Sequence, residues 1–178
     1  ALLRTGKVEF VHTTGLLAGE EAVPLQKTSP ELKVFKYQNL NWGMFYMRTD
    51  QPPFNDVRVR RALSLAINRA AWLETLEFSE GCLITGPIPC ALPAWKLEVK
   101  ELEPAKAKYL AGFDREEAKR LLAEAGYAKG FTTPMHHHPG YTTPWPSRFE
   151  LAVDELSKVG IKVELKPEEY GKYISTTY

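Results

Sequence analysis

The sequence lacks most of the features that would tie it to a specialised environment. No apolar stretch approaches the roughly 18 residues that a membrane-spanning helix requires. Charge of one sign is missing too: 23 Lys and Arg stand against 22 Asp and Glu, a formal net charge of +1. That balance supplies no sequence-wide basic field for nucleic acid or an anionic membrane, so neither is an expected partner. Cysteine is scarce, with two residues, and no period suggests an internal repeat. Recognisable catalytic motifs are also missing: no serine elbow, no phosphate-cradling glycine loop, no paired-His zincin motif and no dinucleotide fingerprint. A hydrolase built on Cys82 or Cys90 with one of the histidines has the residue types but no positioned motif, so the chain is read as a non-enzyme that needs no cofactor.

What is present is ordinary globular composition, 44% hydrophobic and 25% charged over 178 residues, which excludes disorder and collagen. A chain of this length buries roughly 70% of the surface it exposes when unfolded, as one domain or as one large and one partial lobe. Ala1-Leu2-Leu3-Arg4-Thr5-Gly6 carries neither an initiator Met nor a signal-peptide core. Pro167-Glu168-Glu169-Tyr170 reads as a first helical turn shortly before the last residue, Tyr178, and the chain is therefore expected to be a fragment.

Hydropathy periods give the elements. Leu2-Leu3 to Gly6 reads as a helix end with a glycine cap, followed by a strand at Lys7 to Val11. A short helix is expected over Glu20 to Lys27, then two strands, at Leu32 to Tyr37 and along the aromatic run from Trp42 to Met47. The strongest helix opens at Asn55 or Asp56 and carries Val59, Ala62, Leu63, Ala66, Ile67, Ala70 and Leu73 on one stripe, which predicts a helix to about Phe78. Gly86 to Pro93 is too rich in proline for helix or central strand. Asp114 opens a capping-box helix with Phe113 as its staple, closed by Gly126. Ser147 to Glu150 repeats that spacing ahead of Phe149, Ala152, Val153, Leu156 and Val159, with Gly160 as cap and Ile161 to Leu165 as a strand. Helices and strands joined by short glycine turns imply an α/β layer architecture with some parallel pairing.

The segment Pro53-Phe54-Asn55-Asp56-Val57-Arg58-Val59-Arg60-Arg61-Ala62-Leu63-Ser64-Leu65-Ala66-Ile67-Asn68-Arg69 closely resembles the family 5 extracellular solute-binding proteins of ABC importers. The likeness continues through Gly81 to Pro89, Glu117 to Tyr127, Gly130-Phe131-Thr132 and Leu156 to Leu165. It implies an incomplete α/β lobe of the periplasmic-binding-protein type II kind, a mixed sheet with flanking helices. On this resemblance, residues 1–47 correspond to the end of the first lobe and its hinge strand, and 48–178 to the first part of the second, C-terminal ligand-binding lobe. The implied function is capture of an oligopeptide or dipeptide by lobe closure and delivery to an ABC permease in the membrane. The implied location is periplasmic or extracellular, with a lipid anchor as an option in the full-length protein. Within the family the alternative ligands are a metal chelate or an oligosaccharide; outside it the alternative is a stand-alone interaction domain. Arg48 stands where members often carry Asn, a change that bears on ligand choice at the hinge, and Cys90 stands where the loop often carries a second Pro.

Peptide capture calls for aromatic surfaces that tolerate varied side chains, and Trp42, Phe45, Tyr46 and Trp145 are the candidates. The competing reading makes them core residues of a hinge strand and a helix start. Given the extracytoplasmic location that the resemblance implies, Cys82 and Cys90 are expected to form a local disulfide, against the alternative of two buried thiols. His136-His137-His138 is read as an exposed loop rather than a metal site, since no further ligand lies in the adjacent sequence. Arg58, Arg60, Arg61 and Arg69 are read as a solvated helix face. An open sheet edge, where further strands belong, is expected to make the fragment prone to self-association.

Overall fold

The computed structural model of the chain describes residues 5–9, 19–35, 40, 43–77, 79, 81–83, 86–140 and 145–177, without the side chains of residues 19–23 and 145. The expected helix end at Leu2-Leu3 and the residues Phe10-Val11, Lys36-Tyr37 and Trp42 lie outside these. A first helix, α1, spans Gly19–Thr28 and ends before Pro30, as the sequence requires.

The long helix expected from Asp56 to Phe78 is two helices, α2 (Val57–Ala66) and α3 (Arg69–Glu77). Asp56 caps α2 by accepting the Arg58 N–H at 2.7 Å. The chain then turns extended at Ile67, and Asn68 starts α3 by accepting the Ala71 N–H at 3.1 Å through its side chain. The apolar stripe runs on across this break because Ile67 itself is buried, at 5% exposure. Periodicity alone therefore cannot locate it.

A 3₁₀ turn at Val99–Glu101 leads to α4 (Pro104–Ala111), which has proline in its first turn. Asp114 accepts the Glu117 N–H at 2.9 Å and opens α5 (Arg115–Glu124). Phe113, expected as the staple, is 42% exposed, with the Arg115 guanidinium 4.8 Å from its ring centre. The strand β1 (Phe131–His137), the helix α6 (Trp145–Ser157) and the strand β2 (Ile161–Pro167) follow. The helix α6 begins two residues before Ser147, so Ser147 is inside the first turn rather than its cap.

The two strands pair in parallel, from Phe131 with Ile161 to His137 with Pro167. Among the described residues this pair is the whole sheet. The segments expected as strands at Lys7 to Glu9, Leu32 to Phe35 and Gly43 to Met47 carry no strand ladder among the described residues, and a strand is defined by such pairing. The β1 edge is blunted. Phe131 donates its N–H to the Gly160 carbonyl and His137 accepts from the Glu168 N–H, so alternate residues from Phe131 to His137 face β2. Pro134 then falls on the outer edge, where its missing N–H interrupts any further pairing.

The core is one cluster. Val59, Ala62, Leu65 and Ala66 of α2 meet Ala118, Leu121 and Leu122 of α5, Leu156 of α6, and Ile161 and Val163 of β2. Of the arginines read as a solvated face, Arg58 and Arg61 are exposed and Arg60 and Arg69 half-buried: Arg58 donates to the Glu124 carbonyl at 2.7 Å, Arg60 to the Phe54 carbonyl at 2.6 Å, and Arg69 to the Ser64 carbonyl at 2.9 Å. Arg61 lies over the Tyr109 ring at 4.7 Å. These long side chains satisfy carbonyls at helix ends and bends that would otherwise lack partners.

Candidate functional site

In an open parallel sheet, ligands bind in the crevice outside the carboxyl ends of the strands. Here that edge is where His136, His137 and Pro167 end their strands. A single residue, Glu168, ties the edge together. Its carboxylate lies 3.0 Å from His136 Nδ1 and its backbone carbonyl 3.3 Å from His138 Nδ1. Hydrogen bonding from Thr177, then from His136, with the Lys172 charge, holds the Glu168 carboxyl below its ordinary range against the opposing effect of burial. An ionised carboxylate and a carbonyl only accept, so both rings carry their proton on Nδ1. In the neutral form of His136, 38% exposed at its side chain, the lone pair is then on Nε2.

Aromatic surface surrounds this edge. His138 packs edge-on to Tyr170 at 5.1 Å between ring centres, and His137 lies 4.8 Å from Phe149 of α6. The histidines read as a loop are thus two strand residues and the residue that follows. The sequence reading missed Glu168 and Tyr170 because their partners sit some 30 positions away and meet them only through the parallel register. No group of three or more His, Cys, Asp or Glu suited to a metal ion occurs among the described residues.

Of the four aromatic candidates, Trp42 lies outside the described residues and the other three fall at two places. Trp145 is the first residue of α6, whose start follows β1 through the connection after His138. Phe45 and Tyr46 stand on the irregular stretch before α2, 37% and 69% exposed, while Met47 packs on the core. Next to them Arg48 grips Asp50 through two bonds of 2.9 and 2.7 Å, which raise the Arg48 pKa and lower that of Asp50. A ligand carboxylate approaching Arg48 has to compete with Asp50. In the proline-rich segment the structure joins Cys82 to Cys90 with a Cα separation of 6.5 Å, inside the span that disulfides cover.

Residues 1–178 match the profile of bacterial extracellular solute-binding proteins, family 5 Middle, and the chain belongs to that family. It is 30% identical over 150 residues to heme-binding protein A of Haemophilus influenzae, a match that covers 83% of this chain and 26% of the relative. It is 28% identical over 173 residues to the glutathione-binding protein GsiB of Pectobacterium atrosepticum, covering 97% of this chain and 30% of that one. The fold is similar to that of the periplasmic binding protein DppA of Helicobacter pylori solved with the peptide STSA, with a TM-score of 0.58 and 27% identity over 71% of this chain and 22% of the other. The chain thus spans less than a third of the length of these relatives, which are named as binding proteins rather than enzymes.

Proposed function

We propose that this chain is part of the substrate-binding component of a peptide-type ABC importer, which encloses extracytoplasmic peptides between two lobes and passes them to a membrane permease. The observation that carries the reading is the family match along residues 1–178. Likeness to a transporter-associated protein solved with a bound peptide supports the choice of ligand. In this assignment residues 1–47 end the first lobe and supply the hinge, and residues 48–178 begin the second. Trp42, Phe45, Tyr46 and Trp145 are the candidates for tolerant apolar surfaces in this assignment. His136 Nε2 offers an acceptor for a peptide N–H, and the ring is held from behind by Glu168. The full-length protein works in the periplasm or outside the cell, with or without a lipid anchor.

A second reading keeps the lobe and changes the ligand, because the relatives include proteins named for heme and for glutathione. Calorimetric titration of the complete gene product with pooled di- and oligopeptides, with glutathione and with hemin, separates the two. Micromolar binding in the peptide arm is expected. Heat only in another arm moves the assignment to that ligand, and no heat in the peptide arm refutes the peptide reading. The present chain alone is expected to give little heat with peptides, since closure draws its free energy from contacts to both lobes. Micromolar binding by the chain alone would refute the two-lobe assignment.

A further inference from the structure

The two sulfurs of the Cys82–Cys90 bridge have unequal surroundings. The Lys96 ammonium lies 3.9 Å from Cys90 Sγ, on a side chain that is only 14% exposed. Among the described residues no cation approaches Cys82 Sγ in this way. Glu98 holds the other side of Lys96 at 3.0 Å, and its side chain, 56% exposed, is partly screened by water. Lys96 is thereby kept beside one sulfur and not the other.

This asymmetry decides which sulfur a nucleophile attacks. In thiol–disulfide exchange a thiolate attacks one sulfur and expels the other as a thiolate, and the thiol with the lower pKa leaves faster. An adjacent lysine lowers a thiol pKa. We infer that Cys82 is a site of reversible S-thiolation by small-molecule thiols. The incoming thiolate attacks Cys82 Sγ, a new S–S bond forms there, and the Cys82–Cys90 bond breaks with its electron pair on Cys90. The Cys90 thiolate then rests beside Lys96. If that thiolate attacks Cys82 in turn, the small thiol is expelled and the bridge returns. If a second small thiolate attacks the adduct instead, the two small molecules leave as their disulfide and the cysteine pair is left reduced.

The test uses the full chain, unreduced, with limiting β-mercaptoethanol at neutral pH, an acid quench and peptide mapping of the adduct. A severalfold excess of adduct on Cys82 over Cys90 is expected, because the thiol with the lower pKa leaves faster. Lys96→Met should bring the ratio close to one, and Lys96→Arg should preserve it. In the fully reduced chain, iodoacetamide at pH 7 should alkylate Cys90 faster than Cys82. Equal adducts, adduct mainly on Cys90, or a ratio unchanged in Lys96→Met would overturn the inference. Two reactive thiols per untreated, denatured chain would overturn it as well, since there would be no bridge to open.

Discussion

Replacing Glu155 should separate the contribution of its hydrogen bonds from that of its charge. Glu155 is 7% exposed on α6, and one of its oxygens, Oε2, accepts both the Asn68 N–H at 3.1 Å and the Trp72 indole N–H at 2.9 Å. The other oxygen lies 3.6 Å from the Arg115 guanidinium, whose side chain is 34% exposed. Glu155→Gln can keep a carbonyl oxygen at the Oε2 position, so it retains both hydrogen bonds and loses the long, partly solvated ion pair with Arg115 and the charge attraction to Arg69; the expected cost is about 1 kcal/mol. Glu155→Leu strands two donors in a half-buried setting, at about 1 to 1.5 kcal/mol each, and forfeits the ion pair as well, for a total of about 3 kcal/mol. Urea unfolding followed by far-ultraviolet circular dichroism at pH 7 reads both values. Equal losses in the two variants would show that the charge, not the accepted N–H groups, fixes the break between α2 and α3. A loss under about 0.5 kcal/mol for the leucine variant would show that the clamp holds nothing.

Acid should reveal a second polar device. Hydrogen bonds from Arg120 and then Lys108 hold the Glu117 carboxyl at about 2, against an ordinary value of 4.5. A folded-state pKa below the unfolded one stabilises the fold fully above about pH 4.5, and that stabilisation is lost as pH falls toward 2. The urea midpoint of Glu117→Gln should therefore converge on that of the parent chain through this window; a constant offset down to pH 2 would contradict the assignment. Two glycines of positive φ give a paired test. A Cβ at Gly126 (φ +91°) meets open space, so Gly126→Ala should cost about 1 kcal/mol of backbone strain, whereas at Gly130 (φ +74°) it collides with the Gly160 carbonyl, so Gly130→Ala should cost clearly more. Equal thermal shifts in the two variants would refute the role of the Gly130 and Gly160 contact.

The parts of the fold legible in the sequence are those fixed by neighbours in the chain. The Asp114 cap, the Gly126 and Gly160 turns and the alternation of Ile161 to Leu165 each depend on residues within a few positions. The break at Ile67 and Asn68 was not legible as a break, although Asn68 ahead of Arg69 is an ordinary cap signal, because the apolar stripe continues through it and the deciding acceptor, Glu155, lies 87 positions away. β1 was hidden for a related reason. Pro134 and three histidines argue against a strand, yet the parallel register turns the proline to the outer edge and lays His137 against Phe149. Of the candidate site, Phe45 and Tyr46 were open between ligand surface and hinge-strand core, and the structure leaves both exposed. The pairing of His136 and His138 with Glu168 was not, since it depends on where β1 and β2 end relative to each other.

The two ends of the strand pair are built differently, and the difference bears on which end serves a ligand. At the amino end, Gly130 and Gly160 approach so closely that no side chain fits between them, and Phe131 packs edge-on to Tyr127 and Phe54, at 5.2 and 6.1 Å between ring centres. Backbone contact and aromatic packing fill the gap between the strands at that end, and an open hollow lined by Tyr127, Lys129 and Lys158 lies beside it. At the carboxyl end the chain places imidazoles, a carboxylate and a phenol, groups whose hydrogen bonds are directional and whose partners can be exchanged for a ligand's. Glu168 supplies both its side chain and its carbonyl there, so the two histidines hold their tautomers without help from a ligand. Under the proposed function, a polar edge ordered in this way loses little conformational freedom on binding. The sequence places this chemistry at the carboxyl end and keeps it from the amino end by the simplest means available: glycine before each strand, and His136-His137-His138 and Glu168-Glu169-Tyr170 where the strands stop.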